Sequence, residues 1–177
     1  MSDGAQRRNP PPYRALAVGG GRRSIEQILN GLLEADRQNL ALTTALHGAG
    51  GLGKTTLAAA LCHHDETITT FDDGILWITL GKQPNVHEGL TKLYAALIGE
   101  RPGFVDQEDA AFHLAENLEG KNCLIALDDV WDASHLRPFM RGGKDCTRLM
   151  TTRVFDVADE AVRFNVGQLL HRNASAL

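Results

Sequence analysis

The sequence lacks the features of a membrane or secreted protein. It has no apolar run of about 18 residues and no signal-peptide pattern, so we expect a soluble, cytoplasmic protein with no membrane partner. Its net charge of -4 does not favour a nucleic-acid partner. The three cysteines are odd in number, form no C-x-x-C pair and lie in or beside apolar segments. They are predicted to be buried free thiols rather than disulfides or zinc ligands: Cys62, Cys123 and Cys146.

What the sequence does contain is a regular alternation of strand and helix patterns. Its 177 residues, 43% of them hydrophobic, suffice for one domain with a substantial core. Short apolar runs predict five strands, at residues 40–46, 75–80, 122–127, 148–152 and 162–166. Helical patterns between these runs predict an α/β fold of three layers, with a five-stranded, mainly parallel sheet and helices on both faces.

The predicted helices have recognisable ends. Ser24 and Gln27 form a capping box ahead of an apolar stripe, which predicts that the first helix starts there. A long amphipathic helix is predicted over residues 86–98. Asp106 is predicted to cap a further helix, which Gly120 brings to an end.

A glycine-rich stretch, Gly48–Thr56, follows the first predicted strand and reads GAGGLGKTT. It fits the phosphate-loop pattern G-x-x-x-x-G-K-S/T and leads into a helix-forming run, which is the context that the pattern requires. Lys54 can reach the outer phosphates, Thr55 can ligate Mg²⁺, and Thr56 joins the predicted nucleotide-binding set. Four glycines let successive backbone N–H groups turn inward around an anion: Gly48, Gly50, Gly51 and Gly53. The alternative is a glycine-rich hairpin with an accidental Lys-Thr pair.

An acidic pair, Asp128 and Asp129, closes a strongly apolar strand about 75 residues after the loop. Such a strand delivers carboxylates to the carboxyl edge of a parallel sheet, where ligands bind in α/β folds. Asp128 can hold Mg²⁺ opposite Thr55, and Asp129 can polarise an attacking water. The alternative is a pair of surface carboxylates in a strand-to-turn connection. Together with the phosphate loop, the metal site is the better interpretation, and the sequence predicts a P-loop NTPase fold.

Four segments in this order resemble the NB-ARC family of signal-transduction NTPases, and its bacterial branch in particular: GAGGLGKTTLA, GILWITLG, CLIALDDVW and TRLMTTR. The resemblance implies that Arg153 is a sensor arginine for the γ-phosphate, a role that its bidentate guanidinium suits; the alternative is a surface arginine. It also implies an adenine-contacting motif at residues 17–22, which would involve Val18 and Arg22. Two extra glycines separate the two parts of that motif here.

The resemblance sets expectations for domains and function. The polar, proline-rich composition of residues 1–15 predicts a disordered lead-in, and the resemblance implies the NB-ARC core over 16–166 and, over 167–177, the start of a helical subdomain. Family members continue into helical and winged-helix subdomains, so the chain is either a fragment or a truncated gene product. The resemblance implies an ADP/ATP-binding signalling core with Mg²⁺, slow ATP hydrolysis at most, and other domains or subunits of a signalling assembly as partners. The alternatives are a turnover P-loop ATPase or kinase, and a nucleotide-free remnant that acts by protein contact.

Overall fold

The computed structural model describes residues 8–9, 22–33, 39–43, 52–154, 157 and 162–165. Six strands are assigned in this part of the chain: β1 Arg8–Asn9, β2 Leu40–Thr43, β3 Gly74–Gly81, β4 Cys123–Val130, β5 Thr147–Thr152 and β6 Val162–Asn165. The helices are α1 Arg22–Leu33, α2 Leu52–Cys62, α3 Asp65–Thr70, α4 Val86–Ile98, α5 Gln107–Leu118 and α6 Ala133–Leu136. A 3₁₀ turn, Arg137–Met140, directly follows α6. No helix among these residues is long and apolar enough to cross a membrane.

All six strands form one parallel sheet in the order β1-β3-β4-β5-β2-β6. The predicted α/β fold is confirmed, but the predicted count of five strands is one too few. The extra strand is β1, whose two residues pair with Ile75 and Leu76 at the edge of the sheet. This strand lies within the segment predicted to be disordered, whose other residues are outside the described part of the chain. Because every strand runs in the same direction, their carboxyl ends share one edge.

The sheet has a hydrophobic core on each face, which confirms the three layers. Along β4, Cys123, Ile125 and Leu127 pack into the core formed with α4 and α5. Leu124 and Ala126 alternate with them and pack into the opposite core, against α1, α2 and α3. This alternation follows from the two-residue period of a strand. Because β4 carries apolar residues on both of its faces, it is a strand buried between two layers of helices. All three cysteines are buried and free, as predicted.

Two helices match their predicted ends, one begins earlier than predicted, and one has no counterpart in the prediction. The α4 helix has the predicted bounds, and Asp106 caps α5 by accepting a hydrogen bond from Asp109 N. The α1 helix begins at Arg22, so the predicted start at a Ser24 cap is wrong. The α3 helix was not predicted, because it has only six residues and its cap is an imidazole, His64, rather than one of the usual capping side chains. A helix of six residues is too short to show a clear hydrophobic periodicity in the sequence.

A buried cation holds the loop that leads into β5. Arg148 is 4% exposed, and its guanidinium donates hydrogen bonds of 2.7–3.4 Å to backbone carbonyl oxygens. These acceptors belong to five residues: Phe139, Arg141, Gly142, Gly143 and Cys146. The loop thereby gains partners for carbonyl groups that would otherwise be buried without them. It docks against α5 at the amino edge of the sheet, opposite the carboxyl ends of the strands.

Candidate functional site

The carboxyl edge of the sheet brings the phosphate-loop helix and the acidic strand together. Lys54 and Thr55 lie in the first turn of α2, and Asp128 lies near the end of β4. The Thr55 hydroxyl donates a 2.8 Å hydrogen bond to Asp128 Oδ1 across 73 residues of sequence. The Asp128 carboxylate is only 3% exposed. The structure thus joins the two residues that the sequence nominated as magnesium ligands.

Two further threonines, which the sequence analysis missed, also contact Asp128. Thr151 in β5 donates a 2.6 Å hydrogen bond to Oδ1, and Thr79 in β3 donates a 3.3 Å hydrogen bond to Oδ2. Trp77 Nε1 in turn donates to the Thr79 hydroxyl oxygen at 3.2 Å. The only signal in the sequence is a threonine near the end of an otherwise apolar strand. Such a threonine suits a strand by propensity alone, so it does not identify a site.

The acidic strand does not end at the Asp pair, as predicted, but continues to Val130. Its register with β5 shifts between Leu127 and Val130, so β4 carries one more residue than β5 there. Asp129 lies in this bulge with a φ of 54°, the only described non-glycine residue with a positive φ. Bulges redirect side chains and occur next to active sites. Aspartate is one of the few residues that tolerate the left-handed conformation.

Lys54 is buried, at 4% exposure, and its pKa is shifted by burial and by charged groups of β4 and of the residue that follows β5. Burial is the largest influence and lowers the pKa of Lys54 below the ordinary value of 10.5. The nearby guanidinium of Arg153 lowers this pKa further, while the carboxylates of Asp129 and Asp128 oppose both effects. These mutual influences mean that the lysine, the acidic pair and Arg153 share one electrostatic environment.

Arg153 follows β5 directly and is exposed. Its guanidinium carbon lies 5.5 Å from the ring centroid of Trp131, the residue after β4. The ammonium of Lys82, the residue after β3, lies 4.5 Å from the same centroid. Both distances are within the range of a cation–π contact. The ends of three adjacent strands therefore hold two cations around one indole ring.

The remaining predicted site residues are only partly described. Gly53 and Thr56 lie in α2 and are half-buried, and Arg22 begins α1. Four of the predicted residues lie outside the described part of the chain: Val18, Gly48, Gly50 and Gly51.

The donors that meet at this edge suit magnesium. Mg²⁺ prefers oxygen ligands, and P-loop proteins hold it with a hydroxyl, a carboxylate, water and the phosphates. The Thr55 hydroxyl and the Asp128 carboxylate are such donors and already touch. Within the described residues, no group of three or more His, Cys, Asp or Glu side chains could hold a metal. A site built on one carboxylate and one hydroxyl does not require such a group.

Comparison with protein families gives one match over most of the chain. The model of the NB-ARC domain matches residues 22–173. The chain belongs to the NB-ARC family. It is therefore a nucleotide-binding signalling module in a P-loop NTPase fold.

Curated relatives of this NB-ARC chain come from bacteria and plants. The regulatory protein AfsR of Streptomyces griseus is 30% identical over 141 residues, which is 76% of this chain and 14% of that protein. AfsR of Streptomyces coelicolor is 33% identical over 116 residues, which is 63% of this chain and 12% of that protein. Disease resistance protein RGA2 of Solanum bulbocastanum is 33% identical over 125 residues, or 67% of this chain and 13% of that protein. The chain thus spans about one eighth of their length.

Among solved structures, a similar chain occurs in the Drosophila origin recognition complex (ORC) bound to DNA. The TM-score is 0.50 at 15% sequence identity, and the match covers 94% of this chain and 49% of that chain. At this identity the likeness concerns the fold alone, and it agrees with a P-loop NTPase fold. The bound DNA is a feature of that complex alone.

Proposed function

We propose that this chain is the ADP- and ATP-binding core of an NB-ARC signalling switch, which binds its nucleotide with Mg²⁺ and hydrolyses ATP slowly at most. The observation that carries the proposal is the direct hydrogen bond between Thr55 and Asp128, with the buried Lys54 beside them. Burying a lysine and a carboxylate is costly, and their shared position beside a helix N-terminus is suited to an anion and its counter-ion.

Each residue at the site has a distinct proposed role. Lys54 binds the outer phosphates, supported by the backbone N–H groups at the start of α2. Thr55 and Asp128 would hold Mg²⁺, which neutralises phosphate charge when it is bound. Thr56 adds a hydroxyl to the same turn of the helix. Gly48, Gly50, Gly51 and Gly53 would supply the backbone N–H groups of the phosphate loop.

Asp129 and Arg153 are the proposed catalytic pair. Asp129 is half-buried, and in its left-handed conformation it can accept a proton from a water that attacks the γ-phosphate. Arg153 can form a bidentate contact with the terminal phosphate, since it lies close enough to Lys54 to influence the pKa of the lysine. Slow hydrolysis suits a switch, because the state with bound ATP must persist long enough to signal.

The proposal extends to partners and location. Val18 and Arg22 are proposed to contact adenine, and other domains or subunits of a signalling assembly are the proposed protein partners. A nucleotide shifts a conformational equilibrium only by its different affinity for the two states, so the switch requires such partners. We propose no direct contact with nucleic acid, and a cytoplasmic location, where ATP and ADP are plentiful.

The test compares two lysine substitutions. Lys54→Ala should weaken ADP binding about 10–100-fold, the loss expected when a charge-assisted phosphate contact is removed. Lys144→Ala is the matched control, because Lys144 is exposed and precedes β5 at the opposite edge of the sheet. Affinity can be measured by calorimetry in the presence of Mg²⁺. Unchanged affinity in Lys54→Ala would overturn the proposal.

ATP turnover separates the switch from the other functions. A switch should hydrolyse ATP well below about one per second, whereas sustained turnover above that rate is usual for enzymes. Fast turnover would favour a P-loop ATPase or kinase. A wild-type protein that binds neither ADP nor ATP would favour a remnant that acts by protein contact.

A further inference from the structure

We infer that Thr151 is a positioning residue, whose hydroxyl fixes the Asp128 carboxylate and the Asp129 backbone and thereby sets the affinity of the site for Mg²⁺. Thr79 plays a lesser part in the same arrangement. This inference rests on the proposed function, because it concerns the ion that would accompany the nucleotide. It adds to that function two residues that would not touch the nucleotide or the metal.

The Thr151 hydroxyl makes two hydrogen bonds of opposite direction. It donates its one proton to Asp128 Oδ1 at 2.6 Å, and its oxygen accepts a hydrogen bond from Asp129 N at 2.9 Å. The side chain is 2% exposed, so water does not compete freely for either bond. A hydroxyl has one donor and two acceptor lone pairs, so both bonds can persist together. One buried group thus links the side chain of one aspartate to the backbone of the next.

The hydrogen bond from Asp129 N to the Thr151 hydroxyl stabilises the bulge in β4. The register between β4 and β5 is regular up to the pair Leu127 and Met150 and resumes at Val130 and Thr152. The extra residue in a bulge loses its place in the hydrogen-bond ladder. The Thr151 hydroxyl provides a partner for its N–H group and supports the left-handed backbone of Asp129.

Three threonine hydroxyls donate hydrogen bonds to the Asp128 carboxylate. Threonine hydroxyls orient the carboxylate without neutralising its negative charge. If the Thr55 oxygen turns to a metal, Thr151 and Thr79 are the described donors that still hold Asp128. The Thr79 bond is the weaker of these two, because it is 3.3 Å long and the residue is exposed.

The chain offers a matched control within the same strand. Thr147 is also in β5 and is 1% exposed, but its hydroxyl has no hydrogen-bond partner among the described residues. Thr147→Val and Thr151→Val therefore make the same chemical change in equally buried positions. The two variants differ in whether the lost hydroxyl holds the acidic pair.

The experiment measures the Mg²⁺ concentration that half-maximally enhances ADP binding, with ADP affinity in EDTA as the reference. Removing a group that orients a metal ligand costs about 10–100-fold in metal affinity, so Thr151→Val should raise the Mg²⁺ midpoint by that factor. Its ADP affinity in EDTA should stay within about twofold of wild type, because the phosphate contacts are untouched. Thr151→Ser, which keeps the hydroxyl, should restore most of the Mg²⁺ response, and Thr147→Val should match wild type.

Several outcomes would overturn the inference. An unchanged Mg²⁺ midpoint in Thr151→Val would do so directly, and an equal shift in Thr147→Val would point to a general loss of packing. Thr79→Val provides a second variant if Thr151→Val does not fold, and we expect a smaller shift in the same direction. An unchanged midpoint there would then count against the arrangement. A wild-type protein that binds no ADP in either condition would instead refute the proposed function and the inference together.

Discussion

At the scale of single residues, Lys54 shows how neighbouring groups set the charge of a side chain. Its ammonium is buried beside a second cation, and both effects lower its pKa, while the carboxylates of the acidic pair only partly oppose them. In the unfolded chain its pKa returns to about 10.4. The folded protein therefore holds this proton less tightly than the unfolded chain does. The charged amine carries a cost to stability below its folded pKa, and that cost disappears as the pH rises to the unfolded value.

ADP affinity should accordingly depend on pH through Lys54. In the proposed function, phosphate binding uses the charged amine of Lys54, which the free protein loses at a lower pH than an exposed lysine would. We expect constant affinity near neutral pH, followed by a decline whose midpoint lies below about 10.4. Calorimetry from pH 7 upward, over the range in which the fold persists, measures the profile. Lys144→Ala should follow wild type, and a decline that begins only above the ordinary lysine range would contradict the lowered pKa.

The sequence nominates some site residues but not others, for a physical reason. Lys54, Thr55 and Asp128 belong to local patterns, since a phosphate loop and an apolar strand that ends in a carboxylate each lie in one segment. Thr79 and Thr151 act on Asp128 from 49 and 23 residues away, through a register that only the folded sheet defines. The left-handed backbone of Asp129 also follows from the pairing of β4 with β5, so no local sequence pattern predicts it.

At the scale of elements, the loop before β5 is shaped to fit the α5 helix. Gly142 has a φ of 64°, and a Cβ atom added to it would lie 2.6 Å from the carbonyl oxygen of Ala115 in α5. Gly120, just after α5, has a similar φ of 69°, but a Cβ atom added there would meet nothing within 4 Å. The two glycines thus share one backbone conformation and differ in the space around them.

This difference predicts unequal costs for the same substitution. Gly120→Ala should destabilise the fold by roughly 1–2 kcal/mol, the cost of a left-handed alanine. Gly142→Ala adds a clash with helix backbone that cannot rotate away, so it should cost about 2–5 kcal/mol in total. Urea unfolding at equilibrium measures both free energies. Equal losses in the two variants would show that α5 and the loop are not packed this closely.

Element boundaries were predictable where the cap is a local signal. Asn85 and Asp106 cap α4 and α5 with the side chains that such positions favour, and Gly99 follows α4 with a φ of 92°. The start of α1 was predicted wrongly, because the Ser24 signal lies inside a helix that already begins at Arg22. The edge strand β1 has two residues in a proline-rich segment, so its pairing with β3 has no signature in composition.

At the scale of the whole molecule, the parallel sheet gathers the ends of its strands on one edge. Hydrophobic cores pack on both faces of the strands that carry Asp128 and Thr151. A ligand at this edge would contact groups from α2, β4 and β5 together, and the unfolded chain offers no such arrangement. Any nucleotide that binds there must therefore stabilise the entire fold.

Thermal unfolding tests this coupling. ADP with Mg²⁺ at about 100 times its Kd should add about 2.7 kcal/mol to the free energy of unfolding. For a domain of this size, that corresponds to a rise in Tm of roughly 5–10 °C. Calorimetry with and without ADP gives the shift, and Lys54→Ala should show little of it. A shift of equal size in Lys54→Ala would mean that ADP stabilises the protein elsewhere.

Both tryptophans of the chain border this edge. Trp77 donates its indole N–H to the Thr79 hydroxyl, and Trp131 lies within 5.5 Å of the Lys82 and Arg153 cations. The tryptophan fluorescence of the protein therefore originates beside the candidate site, where nearby charges influence its wavelength and quantum yield. A phosphate group that draws Arg153 from the ring of Trp131 would change that emission. We therefore expect tryptophan emission to report nucleotide binding at this edge without an added dye.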